Sequence, residues 1–132
     1  MTGSGLLDTS VVIDWYDPVV RAALPDEVAI SAVTAAELAA GPLLAATAIE
    51  AAKRQTRLQE VEARFEPIPF DAAAARSYGL VASAVLGRGR HPRARFADLL
   101  IAATAHAHRL ELYTRNAADF DGLGELVRVV GV

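Results

Sequence analysis

The chain is predicted to be an α/β domain in which a central, mainly parallel sheet is covered on both faces by helices. Three observations predict it. Alanine supplies 28 of the 132 residues, mostly in runs such as AAELAAG, AATAIEAAK, FDAAAAR and IAATAHAH, and alanine is the best helix former. Between those runs lie short stretches rich in Val, Ile and Leu: GLLD, EVAIS, EPIPF, LELYT and LVRVVGV. Each has strand length and ends at polar or turn residues. Strands that alternate with helices pair in parallel, through right-handed crossovers that bury both faces of the sheet.

The first strand is expected over 5–8 and ends at Asp8. A helix over 10–17 carries Trp15 and Tyr16, aromatics whose usual role is packing, with Asp14 and Asp17 beside them as solvated residues. A strand at 28–31 leads into helices at 34–46 and 49–65, and a further strand is expected at 67–69. Asp71, ahead of AAAAR, is an N-cap for a helix that runs to Leu86. After an arginine-rich loop come a helix at 96–109, a strand at 110–114, a short helix from Asn116 and a final strand at 126–130. Nothing in the composition marks a boundary, a repeat or a linker, so residues 1–132 read as one domain.

Bulk properties exclude several classes of function. The chain is 53% hydrophobic, but no uncharged apolar run approaches the ~18 residues of a membrane span. MTGSGLLDTS lacks the basic region and apolar core of a secretory signal, which points to the cytoplasm. With no cysteine, disulfides and thiolate metal sites are out. A net charge of -3 argues against a generally basic nucleic-acid coat, while leaving room for a local basic patch. Gly87 and Gly89 do not have the spacing of a phosphate loop, and no GxSxG elbow is present.

Four carboxylates stand out, and each has a bland explanation. Asp8, or Thr9 after it, can cap the next helix. Glu37 lies three residues after Thr34, the spacing of a capping box. Asp98 opens DLLIAATA, where the helix dipole favours an anion. Asp119 follows Asn116, itself a candidate cap. Together they are harder to dismiss. Asp8 and the TRNAAD segment fall just after predicted strands, and Glu37 and Asp98 in first helical turns, so all four lie on one edge of a parallel sheet, where such folds gather their functional groups. Four anions brought together repel one another and resist desolvation, so the cluster implies a cation. All-oxygen ligands suit Mg²⁺ or Mn²⁺. An ion held this way activates water and stabilises charge on a phosphoryl group, which predicts phosphodiester hydrolysis.

LLDTSVVID, SAVTAAELAAG, RFADLLIAATA and LYTRNAADF, in that order and at roughly those separations, resemble the PIN-domain nucleases, and within them the VapC-type ribonuclease toxins of bacterial toxin-antitoxin pairs. The resemblance spans nearly the whole chain. It implies a PIN-like three-layer α/β/α sandwich and a Mg²⁺-dependent endoribonuclease that leaves 5'-phosphate and 3'-hydroxyl ends. Asp8, Glu37, Asp98 and Asp119 match the family's four acids in order. By the same resemblance Asp8 and Asp98 contact the metal most directly, while Glu37 and Asp119 complete the pocket. Ser10, Thr114 and Asn116 fall where the family places polar helpers, although many relatives carry Asn in place of Ser10. A cognate antitoxin that covers the pocket, homodimers and an RNA substrate are also implied.

The segment GRGRHPRAR adds Arg88, Arg90, Arg93 and Arg95 without an acid. A solvated loop explains it, but arginine clusters also contact phosphates and position nucleic acid, and this one sits immediately before Asp98. Arg115, beside Asn116, reaches the same pocket or makes a surface ion pair. His106 and His108, two residues apart, point to different sides of a helix and read as surface residues. Two rival readings remain. One is a phosphotransfer protein that uses Asp8 as acceptor, whose D-x-D-x-T pattern fails at Ser10; the other is a binding module without turnover.

Overall fold

The computed structural model describes residues 3–132. Four strands, β1 (Ser4–Leu7), β2 (Glu27–Ala29), β3 (Glu111–Thr114) and β4 (Val129–Gly131), form one sheet in the order β2-β1-β3-β4. All three pairings are parallel. Six α-helices connect them: α1 (Thr9–Ile13), α2 (Pro18–Ala22), α3 (Ala32–Ala40), α4 (Ala48–Arg64), α5 (Ala72–Gly87) and α6 (Phe96–His108). Short 3-10 turns lie at Gly41–Leu44, Pro92–Arg95 and Ala117–Phe120. No helix among the described residues is long and apolar enough to cross a membrane.

The central strands bury Leu6, Leu7, Leu112 and Tyr113 because both faces of the sheet are covered. Side chains alternate between faces along a strand. Leu6 and Leu112 therefore join Val81 and Val85 of α5 and Leu99 and Ile101 of α6 in one core. Their neighbours Leu7 and Tyr113 join Val11, Val12, Val20, Leu38 and Val61 of α1–α4 in a second core on the opposite face. This is the expected three-layer sandwich. Each fully buried Leu or Ile contributes about 1.5–3 kcal/mol. At Gly5 a Cβ would lie 2.5 Å from Cε1 of Tyr113, so this strand position is open only to glycine while that ring lies across it.

Local chemistry moved several expected boundaries. The helix expected over 10–17 ends at Ile13, so Trp15 and Tyr16 lie in the turn after it, and a further helix the sequence did not suggest begins at Pro18. The residue before a proline is pushed out of the α region, and here Asp17 is instead the N-cap of α2, its carboxylate accepting from Val19 N at 2.9 Å with Pro18 in the first turn. The strand expected at 67–69 is reduced to a single parallel bridge, Ser31 to Ile68. Pro67 and Pro69 have no N–H to give, whereas Ile68 donates to Ile30 O at 2.9 Å and accepts from Ala32 N at 2.8 Å. The helix expected over 34–46 begins earlier, at Ala32, and ends at Ala40, passing into the 3-10 turn that holds Pro42. The last strand lies at Val129–Gly131, shifted from 126–130. Asp71 caps α5 as expected, accepting from Ala74 N at 3.0 Å.

His106 has a partner the sequence did not suggest. Its Nδ1 lies 2.8 Å from Oγ of Ser77, which ties α6 to α5. His108 is exposed.

Candidate active site

From β1 the chain turns to one side of the sheet, to β2; from β3 it turns to the other, to β4. The carboxyl ends of β1 and β3 are therefore a topological switch point, where open α/β sheets form a crevice. Asp8 follows β1 directly, and its N–H donates to Tyr113 O of β3 at 2.8 Å. The side chain is 5% exposed. Asp8 stands at the N-cap position of α1 but makes no side-chain capping bond. Its Oδ2 accepts instead from Oγ of Ser10 at 2.7 Å and from Oγ1 of Thr114 at 2.8 Å. The two hydroxyls are held in turn: Ser10 Oγ accepts from Arg115 N at 3.0 Å, and Thr114 Oγ1 from Asn116 N at 3.0 Å. Ser10 and Thr114 thus orient the carboxylate. Asn116 joins through its backbone and makes no side-chain capping bond of its own.

Glu37 is not the end of a capping box, and it does not lie in a first helical turn. Ser31 caps α3 by accepting from Thr34 N at 3.1 Å, which puts Glu37 in the helix interior. There its Oε1 accepts from Oγ1 of Thr9 at 2.6 Å. Thr9 also lies 3.0 Å from Oγ1 of the buried Thr34. The capping explanation accordingly fails for Glu37.

Asp98 does lie in the first turn of α6. Among the described residues it has no side-chain hydrogen bond or ion pair. Burial pushes its carboxyl from 3.8 up to about 6, helped by the negative charges of Asp8, Asp119 and Glu37 in that order, with Arg95 opposing. All four acids therefore share one electrostatic environment. Asp119, in the turn after β3, is the one of the four with a cationic partner among the described residues: Arg95 Nη1 lies 2.6 Å from its Oδ1.

The remaining arginines are partly engaged. Arg90 lies 3.9 Å from Asp121, and Arg88 lies against Gly122. Arg115 pairs with Asp14, which stays partly exposed, at 3.1 Å, and donates to Val132 O at 3.0 Å. Arg93 is exposed and has no ion pair among the described residues. The loop thus lies beside the pocket and is partly bound to its rim.

The donor set is one of oxygens only: three carboxylates with no cation of their own, among them Asp98, raised to about 6 chiefly by burial; a fourth, Asp119, paired with Arg95; and two fixed hydroxyls. That chemistry fits a hard divalent cation. Among the described residues no three His, Cys, Asp or Glu side chains already converge closely enough to hold an ion, so the fit lies in composition and charge, and the side chains must close on the ion.

A family model described as PIN domain matches residues 5–126. The chain belongs to the PIN-domain family. Ribonuclease VapC5 of Mycobacterium tuberculosis is 39% identical over 132 residues, with 96% of each chain covered. A crystal structure of VapBC-5, from the VapBC family of toxin-antitoxin systems of the same organism, matches with a TM-score of 0.80 at 36% identity over 98% of this chain and 99% of that one. FitAcB from Neisseria gonorrhoeae matches with a TM-score of 0.76 at 29% identity over 96% of each chain.

In this PIN domain Asp8, Asp119 and Glu37 lie near enough to Asp98 for their charges to act on its carboxyl. Sequence reasoning missed the part played by Thr9 and Thr34, having assigned both to helix caps. The available signal was the hydroxyl run DTS directly after a strand.

Proposed function

We propose that this PIN domain is a Mg²⁺-dependent endoribonuclease and the toxin of a toxin-antitoxin pair. One observation supports the reading: Asp8, Glu37, Asp98 and Asp119 meet electrostatically at the switch point of the sheet, with Asp98 raised to about 6 by burial and, after it, by the charges of the other three. The likeness to ribonuclease VapC5 supports RNA as the polymer cleaved, and the likeness to toxin-antitoxin structures supports a cognate antitoxin.

Asp8 and Asp98 would hold the ion, with Glu37 and Asp119 completing the pocket. Mg²⁺, with Mn²⁺ as a substitute, supplies Lewis acidity and an activated water for in-line attack on a phosphodiester. The chain's own groups do the rest. Ser10 and Thr114 fix Asp8 in one rotamer, and Thr9 fixes Glu37, so that both carboxylates are preorganised. Arg93, with Arg88, Arg90, Arg95 and Arg115 as they exchange their present partners, contacts RNA phosphates and sets register, while sequence is read elsewhere. Homodimers are proposed on the family resemblance alone.

Phosphotransfer through Asp8 is disfavoured. The side chain is 5% exposed and two hydroxyls occupy its Oδ2, which leaves it poorly placed to attack phosphorus.

The test is incubation of the purified chain with total cellular RNA, with Mg²⁺ or with EDTA, beside Asp98→Asn, followed by sequencing of new 5' ends. Discrete cuts that need both metal and Asp98 are expected. No cuts from folded, antitoxin-free protein would overturn the reading in favour of a binding module.

A further inference from the structure

Arg95 occupies a position that local rules disfavour. It is the N-cap residue of α6, where Ser, Thr, Asp and Asn are preferred, and it makes no side-chain capping bond. A cation there also faces the positive end of the helix dipole. The contact that offsets this is the 2.6 Å ion pair with Asp119. The pair joins the 3-10 turn of Pro92–Arg95 to the turn of Ala117–Phe120, so it spans the rim of the acidic pocket. Arg95 is half exposed on its side chain and Asp119 29% exposed, an arrangement open enough to break and re-form. The second pair across the same rim, Arg90 to Asp121, is longer at 3.9 Å and more exposed.

We propose that Arg95 is a built-in counter-cation of the pocket, which holds Asp119 in the metal-free protein and must release it when a divalent ion binds. This rests on the acidic-pocket reading above. The released guanidinium, with its planar fork, then faces the pocket mouth, the place from which a scissile phosphate approaches. Arg95 is accordingly a positioning residue: the ion pair keeps the fourth acid in place before loading, at the cost of weaker metal binding.

Mg²⁺ and Mn²⁺ binding to the full metal-free chain is measured by calorimetry and by Tm against metal concentration. The set comprises the unmodified chain, Arg95→Gln, Arg93→Gln, Asp119→Asn and the Arg95→Gln, Asp119→Asn double variant. Arg95→Gln is expected to tighten Mg²⁺ binding by about two- to fivefold, within the range of an exposed ion pair. Arg93→Gln removes the same charge from the same turn without breaking a pair, and should change affinity by less than about twofold. In the Asp119→Asn background, Arg95→Gln should add less than it does in the parent chain, keeping only the loss of its through-space charge near Asp98. Equal tightening by Arg93→Gln, or no tightening by Arg95→Gln in a chain that binds metal, overturns the proposal while leaving the pocket intact. Absence of binding in every chain overturns the pocket and the proposal with it. If Arg95→Gln loses cooperative unfolding, Arg95→Met carries the same comparison, since it keeps much of the apolar stem and removes the charge.

Discussion

Thr9 Oγ1 donates to Glu37 Oε1 at 2.6 Å, joining the first residue of α1 to the interior of α3 across 28 positions of sequence. A single hydroxyl thereby sets where one of the four acids points. The carboxylate is otherwise free to rotate about a flexible side chain, and misplacing a catalytic group by about 1 Å costs on the order of 10²-fold. Thr9→Val keeps the shape and deletes the donor. Cleavage is expected to fall by about 10- to 100-fold, with a stability loss no larger than about 1 kcal/mol, and Thr9→Ser should restore most of the rate. Equal rates for the Val and Ser variants in an RNA cleavage assay would show that Glu37 needs no such guide.

Asp98 gives the pocket a pH signature. Its carboxyl binds a proton more tightly when folded, at about 6 against 3.8. Between those values the folded state holds more protons than the unfolded one, so this group lowers stability as pH rises from about 4 to 6, and its penalty is constant above that window. In metal-free protein, Asp98→Asn should therefore raise Tm at pH 7.5 by a few degrees, the half-solvated position keeping the gain well below that of a fully buried group. The gain should vanish near pH 4. Saturating Mg²⁺ should reverse the order, because only the parent chain is stabilised by the ion. A variant that is no more stable than the parent at pH 7.5 without metal would show that the acids do not strain one another.

Much of the fold was legible because burial on both faces leaves a local trace. GLLD and LELYT read as strands from their apolar runs alone, and Asp8 was marked by standing where one run stops. What failed was decided by atoms the local pattern does not contain. EPIPF looks like a strand, yet with prolines on either side only Ile68 bonds to the 30–32 backbone, through one bridge. Thr34 and Glu37 have the spacing of a capping box, yet Ser31 caps first and frees Glu37 for Thr9. The arginine loop was legible as a basic segment; that two of its members pair with Asp119 and Asp121 depends on how α6 and the turn after β3 pack, which no local pattern encodes.

Gly5 tests the sheet itself. Its register partner on β3 is Glu111, and the ring of Tyr113 lies across it, with Cε1 and Cδ1 2.5 and 2.6 Å from where a Cβ would stand. Tyr113 is packed among Leu7, Val11 and Val12 and has little room to move. Gly5→Ala should destabilise the domain by about 1–3 kcal/mol, the range for overpacking, read from urea unfolding. Tyr113→Leu in the same chain should recover part of that loss. An unaltered midpoint in Gly5→Ala would mean that the ring swings aside at no cost.

Thr114 closes the web around Asp8. It is fully buried, and its hydroxyl gives its proton to Asp8 Oδ2 at 2.8 Å while accepting from Asn116 N at 3.0 Å. Thr114→Val fills the same volume and breaks both bonds at once. Asp8 keeps only Ser10 as a donor, and the Asn116 N–H loses its acceptor. Leaving such groups unpaired costs about 1–3 kcal/mol. The two consequences separate experimentally. Thr114→Ser, which restores the hydroxyl, should return both stability and Mg²⁺ affinity, whereas Ser10→Ala, which removes the other donor, should weaken Mg²⁺ binding with a smaller effect on Tm because Ser10 is less buried. Parent-like metal affinity in Thr114→Val, measured calorimetrically, would show that Asp8 holds its rotamer without the hydroxyl and that Thr114 serves the turn after β3 alone.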